Sequence, residues 1–354
     1  MLSEVALTAR CNLRCRFCYL DDGAATTGAE MDTAEVKRVL DTIRREAQVP
    51  SVSFTGGEPT LRPDLPELIR YARDEAGLRV NLITNGTRLT AALVAALREA
   101  GLHSAQVSVE APEAGVHDTL TQVAGSHAES LAGVARLREA GIRVHTNTTA
   151  NRLNLHLLAR LPAFVKSLGL ERFSLNMVIP CGRPGREFGG LNLRYEEMGP
   201  RVLEVQAEAA RCGVEFMWYS PTPACLFNPV AHRLGNKGCA ACDGLLSVSP
   251  SGDVLPCSSW PEPVGNLLRQ PFRQVWRSRR ARRLREKRAA PSACRRCDEF
   301  ALCQGACPLY WRHFGYDELR PAWHAARSPR PTAAATSNLA AAPCRSQARR
   351  ASEA

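Results

Sequence analysis

The chain has 354 residues and a mass of 38.7 kDa, a length that predicts about two domains, and its 45% hydrophobic and 23% charged residues are those of a soluble globular protein. No stretch approaches the roughly 18 uninterrupted apolar residues of a membrane span, which excludes a transmembrane enzyme and a membrane partner. The net charge of +11 suggests nucleic acid until it is divided along the chain: from Gln270 onward there are 18 Lys and Arg against 6 Asp and Glu, and before it 28 against 29.

Met1 to Arg10 carries neither a basic leader nor a long apolar run, so no secretory signal is expected and the predicted location is the cytoplasm. Over the first 180 residues short β-branched runs alternate with amphipathic helical patterns, as βα units do. Strands are predicted at Val5 to Ala9, Val52 to Thr55, Arg79 to Thr84, Ser104 to Val109, Arg143 to Thr148 and Arg172 to Val178. Helices are predicted at Thr33 to Ala47, Asp64 to Ala76, Ala91 to Ala100, Ala128 to Ala140 and Leu155 to Leu168. Asp32 reads as an N-cap, and Gly77, Gly101, Gly141 and Gly169 stand where helices end in a left-handed turn. Six parallel units imply an α/β fold, a partial (β/α)6 TIM-like barrel with its functional face at the carboxyl ends of the strands.

One more helix, about Tyr195 to Arg211, precedes a cysteine-rich region. The domain boundary is placed near Trp218 to Pro223, giving a barrel over 1–218, a small cysteine-rich domain over 219–320 and a tail over 321–354 whose Ala, Arg, Pro and Ser content predicts disorder. Within the second domain, Ser249 to Asp253 reads as a hairpin turn. The basic run Arg277, Arg279, Arg280, Arg282, Arg283, Arg285, Lys287 and Arg288 follows Phe272, Val275 and Trp276 and reads as a solvated helix face. Specific nucleic-acid binding is not expected of it.

Fourteen cysteines in a reducing compartment point to metal or redox use in preference to disulfides. Three fall between Cys11 and Cys18 and eight between Cys225 and Cys307, leaving only Cys181, Cys212 and Cys344 apart. Cys181 and Cys212 read as ordinary structural thiols. Cys11, Cys15 and Cys18 form C-x3-C-x2-C on the loop after the first strand. Three thiolates hold three irons of a 4Fe-4S cube and leave the fourth open, whereas structural zinc would close four positions.

This loop, with Phe17 as the aromatic of C-x3-C-x-Φ-C, resembles that of the radical S-adenosylmethionine (SAM) enzymes. Gly56-Gly57-Glu58-Pro59 after the second strand is similar to the family's GGEP element, Thr84-Asn85-Gly86 after the third to its TNG, and Ser108-Val109-Glu110 after the fourth to its ribose-contacting strand end. All stand at carboxyl ends of predicted strands. The resemblance implies that SAM chelates the open iron and contacts Phe17, Gly56, Gly57, Glu58, Asn85, Ser108 and Glu110. Reductive cleavage then gives a 5′-deoxyadenosyl radical that takes a hydrogen atom from the substrate. The glycine pair admits a ligand close to the backbone, and the Glu58 carboxylate suits an ammonium. Two departures stand out. Glu110-Ala111 replaces the Asp-Gly of many relatives, and Thr121-Gln122 follows His117-Asp118 where relatives often carry Arg.

In the second domain Cys242, Gly252 and Cys257 make C-x9-G-x4-C, and Cys294, Cys297, Cys303 and Cys307 make C-x2-C-x5-C-x3-C. Both resemble the SPASM domain of peptide- and protein-modifying members. The resemblance implies two auxiliary clusters, three 4Fe-4S clusters in all. Cys239, Cys242, Cys257 and Cys307 would hold the first, and Cys294, Cys297 and Cys303 plus one more the second. Cys225 and Cys344 compete for that last place, and Cys225, placed after two prolines at the entrance to the domain, is the expected ligand. The substrate implied is a peptide or protein side chain, matured by oxidation or cross-linking, with flavodoxin or ferredoxin as electron donor; the alternative is a small molecule or tetrapyrrole. A reading of another class takes Cys239, Cys242, Cys294 and Cys297 as the knuckles of a zinc-binding nucleic-acid adaptor. No residue can be named as catalytic acid or base.

Overall fold

A computed structural model describes residues 1–20, 29–183 and 190–319. All six expected strands form: β1 (Leu2–Thr8), β2 (Ser51–Gly56), β3 (Arg79–Thr84), β4 (Ser104–Ser108), β5 (Arg143–Ala150) and β6 (Arg172–Met177). Each pairs parallel with the next. Successive side chains of a strand point to opposite sides, and here one side is apolar and fully buried, with Val5 and Leu7, Val52 and Phe54, Val80 and Leu82 in the core. The opposite side carries Glu4, Thr55, Gln106, Ser108, Asn147 and Asn176 and faces the barrel interior.

The connecting helices are α1 (Thr33–Arg45), α2 (Leu65–Asp74), α3 (Ala91–Glu99), α4 (Ala114–Thr121), α5 (Ser126–Glu139), α6 (Leu161–Ser167) and α7 (Tyr195–Cys212). In α1 the buried residues Val36, Val39, Leu40 and Ile43 fall on one stripe of a 3.6-residue period. Its start is a capping box, with Asp32 accepting from Glu35 N at 2.7 Å and Glu35 accepting from Asp32 N at 3.1 Å. Gly77, Gly101, Gly141 and Gly169 all take positive φ at the helix ends.

Three features differ from the sequence expectation. The helix expected over 155–168 is a 3₁₀ turn, Leu155–Arg160, followed by α6, because Pro162 lacks an N–H and fits only a first helical turn. Helix α4 lacks a periodic apolar stripe: its buried residues are His117, Leu120 and Thr121. A seventh parallel strand, β7 (Glu215–Trp218), pairs with β6 and ends where the domain boundary is expected.

The chain then returns to the opposite edge of the sheet. β8 (Leu245–Val248) lies parallel to β1 and turns into β9 (Asp253–Leu255), which pairs with β10 (Gly265–Asn266). The hairpin expected around Ser249 to Asp253 therefore extends the barrel sheet, whose ten strands run β10-β9-β8-β1-β2-β3-β4-β5-β6-β7. The basic run is split between α8 (Phe272–Trp276) and α9 (Arg279–Arg285), with the Ser278 hydroxyl capping α9 through Ala281 N. At the far end Glu318 is buried and accepts from Arg194 Nε at 2.7 Å and from the Tyr310 hydroxyl, fastening the last described turn to the start of α7. Among the described residues no helix is long and apolar enough to cross a membrane. Cys344 and the tail expected to be disordered lie outside the described residues.

Candidate active site

The carboxyl ends of the barrel strands open onto a cavity of about 620 Å³, within the range that holds one drug-sized ligand. Cys11, Cys15, Phe17 and Cys18 after β1, Gly56 at the end of β2 with Gly57 after it, Asn85 after β3, Ser108 ending β4 and Glu110 beyond it all border this cavity. Of the cofactor residues expected from sequence, only Glu58 does not.

The cysteine loop is pinned by its neighbours. Arg14 N and Arg16 N donate to Thr121 O and Leu120 O at the end of α4, at 3.0 and 2.8 Å. Asn85 Nδ2 donates to Asn12 Oδ1 at 3.0 Å, and Arg183 Nη1 to Cys15 O at 3.0 Å. The three thiols are close enough to act on one another. Burial raises the Cys15 pKa most, followed by the charge of Glu110 and by Cys18 and Cys11. An unliganded thiol group of this kind has every reason to take up cationic iron, since the metal replaces the protons that burial favours.

The glycine pair and Glu58 act differently from the sequence expectation. A Cβ on Gly56 would lie 2.3 Å from Thr8 O and one on Gly57 2.1 Å from Arg10 O, so both glycines are required first by the close approach of β2 to the end of β1. The Glu58 carboxylate does not wait for an ammonium. Oε1 accepts from the Thr84 and Thr60 hydroxyls at 2.7 Å each, and Oε2 accepts from Asn85 N at 2.8 Å. Fully buried, it joins the second and third loops, leaving backbone groups of Gly56 and Gly57 to meet a ligand.

Glu110 does face the cavity. Its Oε2 accepts from Thr149 N at 2.8 Å, and burial pushes its pKa up to about 8. Its own N–H donates to His117 Nδ1 at 3.1 Å, so the neutral imidazole carries its proton on Nε2, which is buried without a partner among the described residues. Burial holds the His117 pKa at about 4. Asp118 accepts from Gly125 N, Ser126 Oγ and His127 N and thereby caps α5. The His-Asp pair is thus a bracket behind the carboxyl end of β4. Thr121, at the site of the relatives' Arg, bonds Ser126 Oγ at 2.7 Å.

Sequence reasoning missed part of the lining. Glu4, Cys181, Tyr219, Ser258 and Ser259 also border the cavity. Glu4 is held by Ser247 and Ser258, while its Oε1 is buried with no hydrogen-bond partner among the described residues; a single charged residue in strand β1 is the signal that could have found it. Cys181, read from sequence as a structural thiol, borders the cavity, where Ser259 and Cys18 act on it.

The eight cysteines from Cys225 to Cys307 fall into two groups by their mutual influence. Cys257 is influenced by Cys307 and Cys239, and Cys242 by Cys239; burial, the largest effect throughout, pushes Cys242 to about 11 and Cys307 to about 12. Cys225 is raised to about 11 by burial and then by Cys303, Cys294 and Cys297, and Ala224 N donates to Cys303 Sγ at 3.4 Å. The pairs Cys239/Cys242 and Cys294/Cys297 thus belong to different groups, contrary to the zinc-knuckle alternative. Among the described residues no three Cys, His, Asp or Glu converge as a single metal ion requires. Four soft thiolates per group are the donor set of an iron–sulfur cluster.

Residues 5–155 match the family profile of the Radical SAM superfamily, and residues 239–298 match SPASM, an iron–sulfur cluster-binding domain. The AdoMet-dependent heme synthase of Methanosarcina barkeri is 32% identical over 311 residues, 84% of this chain and 88% of that one. The PqqA peptide cyclase of Rhodopseudomonas palustris is 33% identical over 260 residues, 71% of this chain and 65% of that one. Among solved structures, Streptococcus suis SuiB bound to precursor peptide SuiA aligns with a TM-score of 0.73 at 18% identity over 87% of this chain and 71% of that one, a likeness of fold.

Proposed function

This chain belongs to the radical SAM superfamily and is an enzyme of that class, and from that premise we propose that its substrate is a peptide or protein side chain, modified by oxidation or cross-linking. The observation carrying this reading is the cavity of about 620 Å³. SAM is itself a drug-sized ligand, so a cavity of this size, lined also by Glu4 and Tyr219, suits a small substrate group such as a side chain beside it. Similarity to PqqA peptide cyclase supports it. A second reading, a tetrapyrrole substrate, is favoured by the similarity to heme synthase, which spans more of both chains.

The chain binds SAM and iron–sulfur clusters. We assign Cys11, Cys15 and Cys18 to a 4Fe-4S cluster with one iron open to SAM. Cys239, Cys242, Cys257 and Cys307 are assigned to a first auxiliary cluster and Cys225, Cys294, Cys297 and Cys303 to a second, three in all. The grouping of the thiols supports each set. With SAM present, the reduced centre supplies a 5′-deoxyadenosyl radical that removes one hydrogen atom from the substrate. Phe17, Asn85 and Ser108 wall the SAM pocket, backbone groups of Gly56 and Gly57 form its floor, and Glu58 holds that floor from behind. Glu110, whose pKa burial pushes up to about 8, faces the pocket with Oε2 held by Thr149 N. The barrel takes 1–218 and the SPASM domain 219–320. A flavodoxin or ferredoxin is the natural electron donor.

The test incubates reduced, reconstituted enzyme with SAM and deuterated extract separated into peptide and tetrapyrrole fractions. Deuterium in 5′-deoxyadenosine from the peptide fraction is expected; transfer from the tetrapyrrole fraction alone overturns the peptide reading.

A further inference from the structure

The basic run from Arg277 to Arg288 is not one solvated face. Arg279, Arg282 and Arg283 are exposed, but Arg285 and Lys287 turn toward the loop that carries Cys239 and Cys242. The Lys287 side chain is only 9% exposed. Its Nζ donates to Cys239 O at 2.6 Å and lies 3.1 Å from Asp243 Oδ2. Arg285 Nη1 donates to Cys242 O at 3.1 Å and Nη2 to Trp276 O at 2.7 Å, with its guanidinium 5.3 Å from the Trp276 ring centre. Lys287 reaches its place with φ at 51°, a left-handed backbone that residues with side chains seldom adopt. A cation serving solubility alone would stay in water, because burying it costs hydration that only specific partners return.

Each cation therefore grips the carbonyl of one cysteine, and both charges stand at the edge of the same thiol group. We infer that Arg285 and Lys287 are positioning residues that hold this loop and raise the reduction potential of the auxiliary cluster bound there, with Asp243 acting in the opposite sense. The inference rests on the proposed assignment of Cys239, Cys242, Cys257 and Cys307 to a cluster. Reduction adds one electron, and so one negative charge, to the cluster; fixed cations in a low-dielectric surrounding favour that state and a carboxylate opposes it. During turnover the electron comes from the substrate radical, which loses a proton as it is oxidised; in a titration it comes from dithionite through mediators.

The experiment uses the full chain with Cys11, Cys15 and Cys18 replaced by Ala, reconstituted anaerobically and titrated potentiometrically with detection by electron paramagnetic resonance. The signal lost in Cys242→Ala identifies the cluster in question. In Lys287→Met and Arg285→Met the ratio of reduced to oxidised cluster at fixed poise should fall about tenfold, a shift of about 59 mV to lower potential for one electron. Asp243→Asn should shift it upward, and Arg285→Lys, which keeps the charge, should titrate with the parent. A purely structural latch would give no such reversal of sign. Unchanged potentials, or a downward shift in Asp243→Asn, overturn the inference. If Cys242→Ala removes neither iron nor a signal, the cluster assignment itself fails, which is a different result.

Discussion

Glu58 Oε2 accepts the backbone N–H of Asn85 at 2.8 Å, so the glutamate after the glycine pair is tied to the asparagine of the next strand's loop. Asn85 in turn bonds Asn12 within the cysteine loop at 3.0 Å. One buried carboxylate thus sets the relative position of three loops that sequence places 27 and 73 residues apart from Asn85.

The first prediction follows from that link. In Glu58→Gln an amide NH₂ or oxygen must face both the two Thr hydroxyls and the Asn85 N–H, and it cannot accept from all of them. Unfolding free energy of the unloaded protein should drop by about 1 to 3 kcal/mol, and SAM affinity should drop with it. A variant that unfolds like the parent yet binds SAM poorly would mean that the carboxylate touches the ligand instead.

Removing one cysteine of the first loop should end the chemistry without unfolding the barrel, because the loop is held by Arg14 N, Arg16 N and Arg183 as well as by any metal. Cys15→Ala should form no detectable 5′-deoxyadenosine from SAM under reducing conditions while keeping its far-ultraviolet circular dichroism. Retained cleavage in the Cys11, Cys15, Cys18 triple-alanine protein would contradict the assignment of the open cluster.

The second auxiliary cluster offers a comparison of two proteins. Cys303, Cys294 and Cys297 act on Cys225, and its neighbour Ala224 donates its N–H to Cys303 Sγ. Cys225→Ala should lose about four irons per chain, whereas a chain ending at Arg327, without Cys344, should keep all three cluster signals. The reverse pattern in iron content and electron paramagnetic resonance would make Cys344 the ligand.

His145 provides a pH dependence away from the metal sites. It is largely buried on β5, with Nε2 3.1 Å from Gln106 Oε1, and burial, then Arg172, holds its pKa at about 4. An unfolded histidine titrates near 6.5, so between these values the unfolded chain binds the extra proton. The stability contribution is therefore complete above about pH 6.5 and is lost as pH falls toward 4, by roughly 2 to 3 kcal/mol. Urea unfolding of the parent and His145→Gln over this range should show a shallower slope in the variant; parallel slopes would place the titration elsewhere.

Much of this protein is legible in one dimension. The βα order, the Asp32 cap, the glycine stops and the C-x3-C-x2-C loop are local, set by side-chain period, backbone preference and ligand spacing within a few residues. Even the meeting of Gly56, Asn85 and Ser108 follows from chain order, because parallel strands joined by right-handed crossovers put their carboxyl ends on one face. What a side chain does once it arrives is not local. The turning of Glu58 into the framework, the capping of α5 by Asp118 and the placement of Glu4 and Cys181 on the cavity wall depend on neighbours that only packing supplies. So does the return of β8 to the free edge of β1: the backbone groups of an edge strand need partners, and the sequence does not say which strand, some 240 residues later, will provide them.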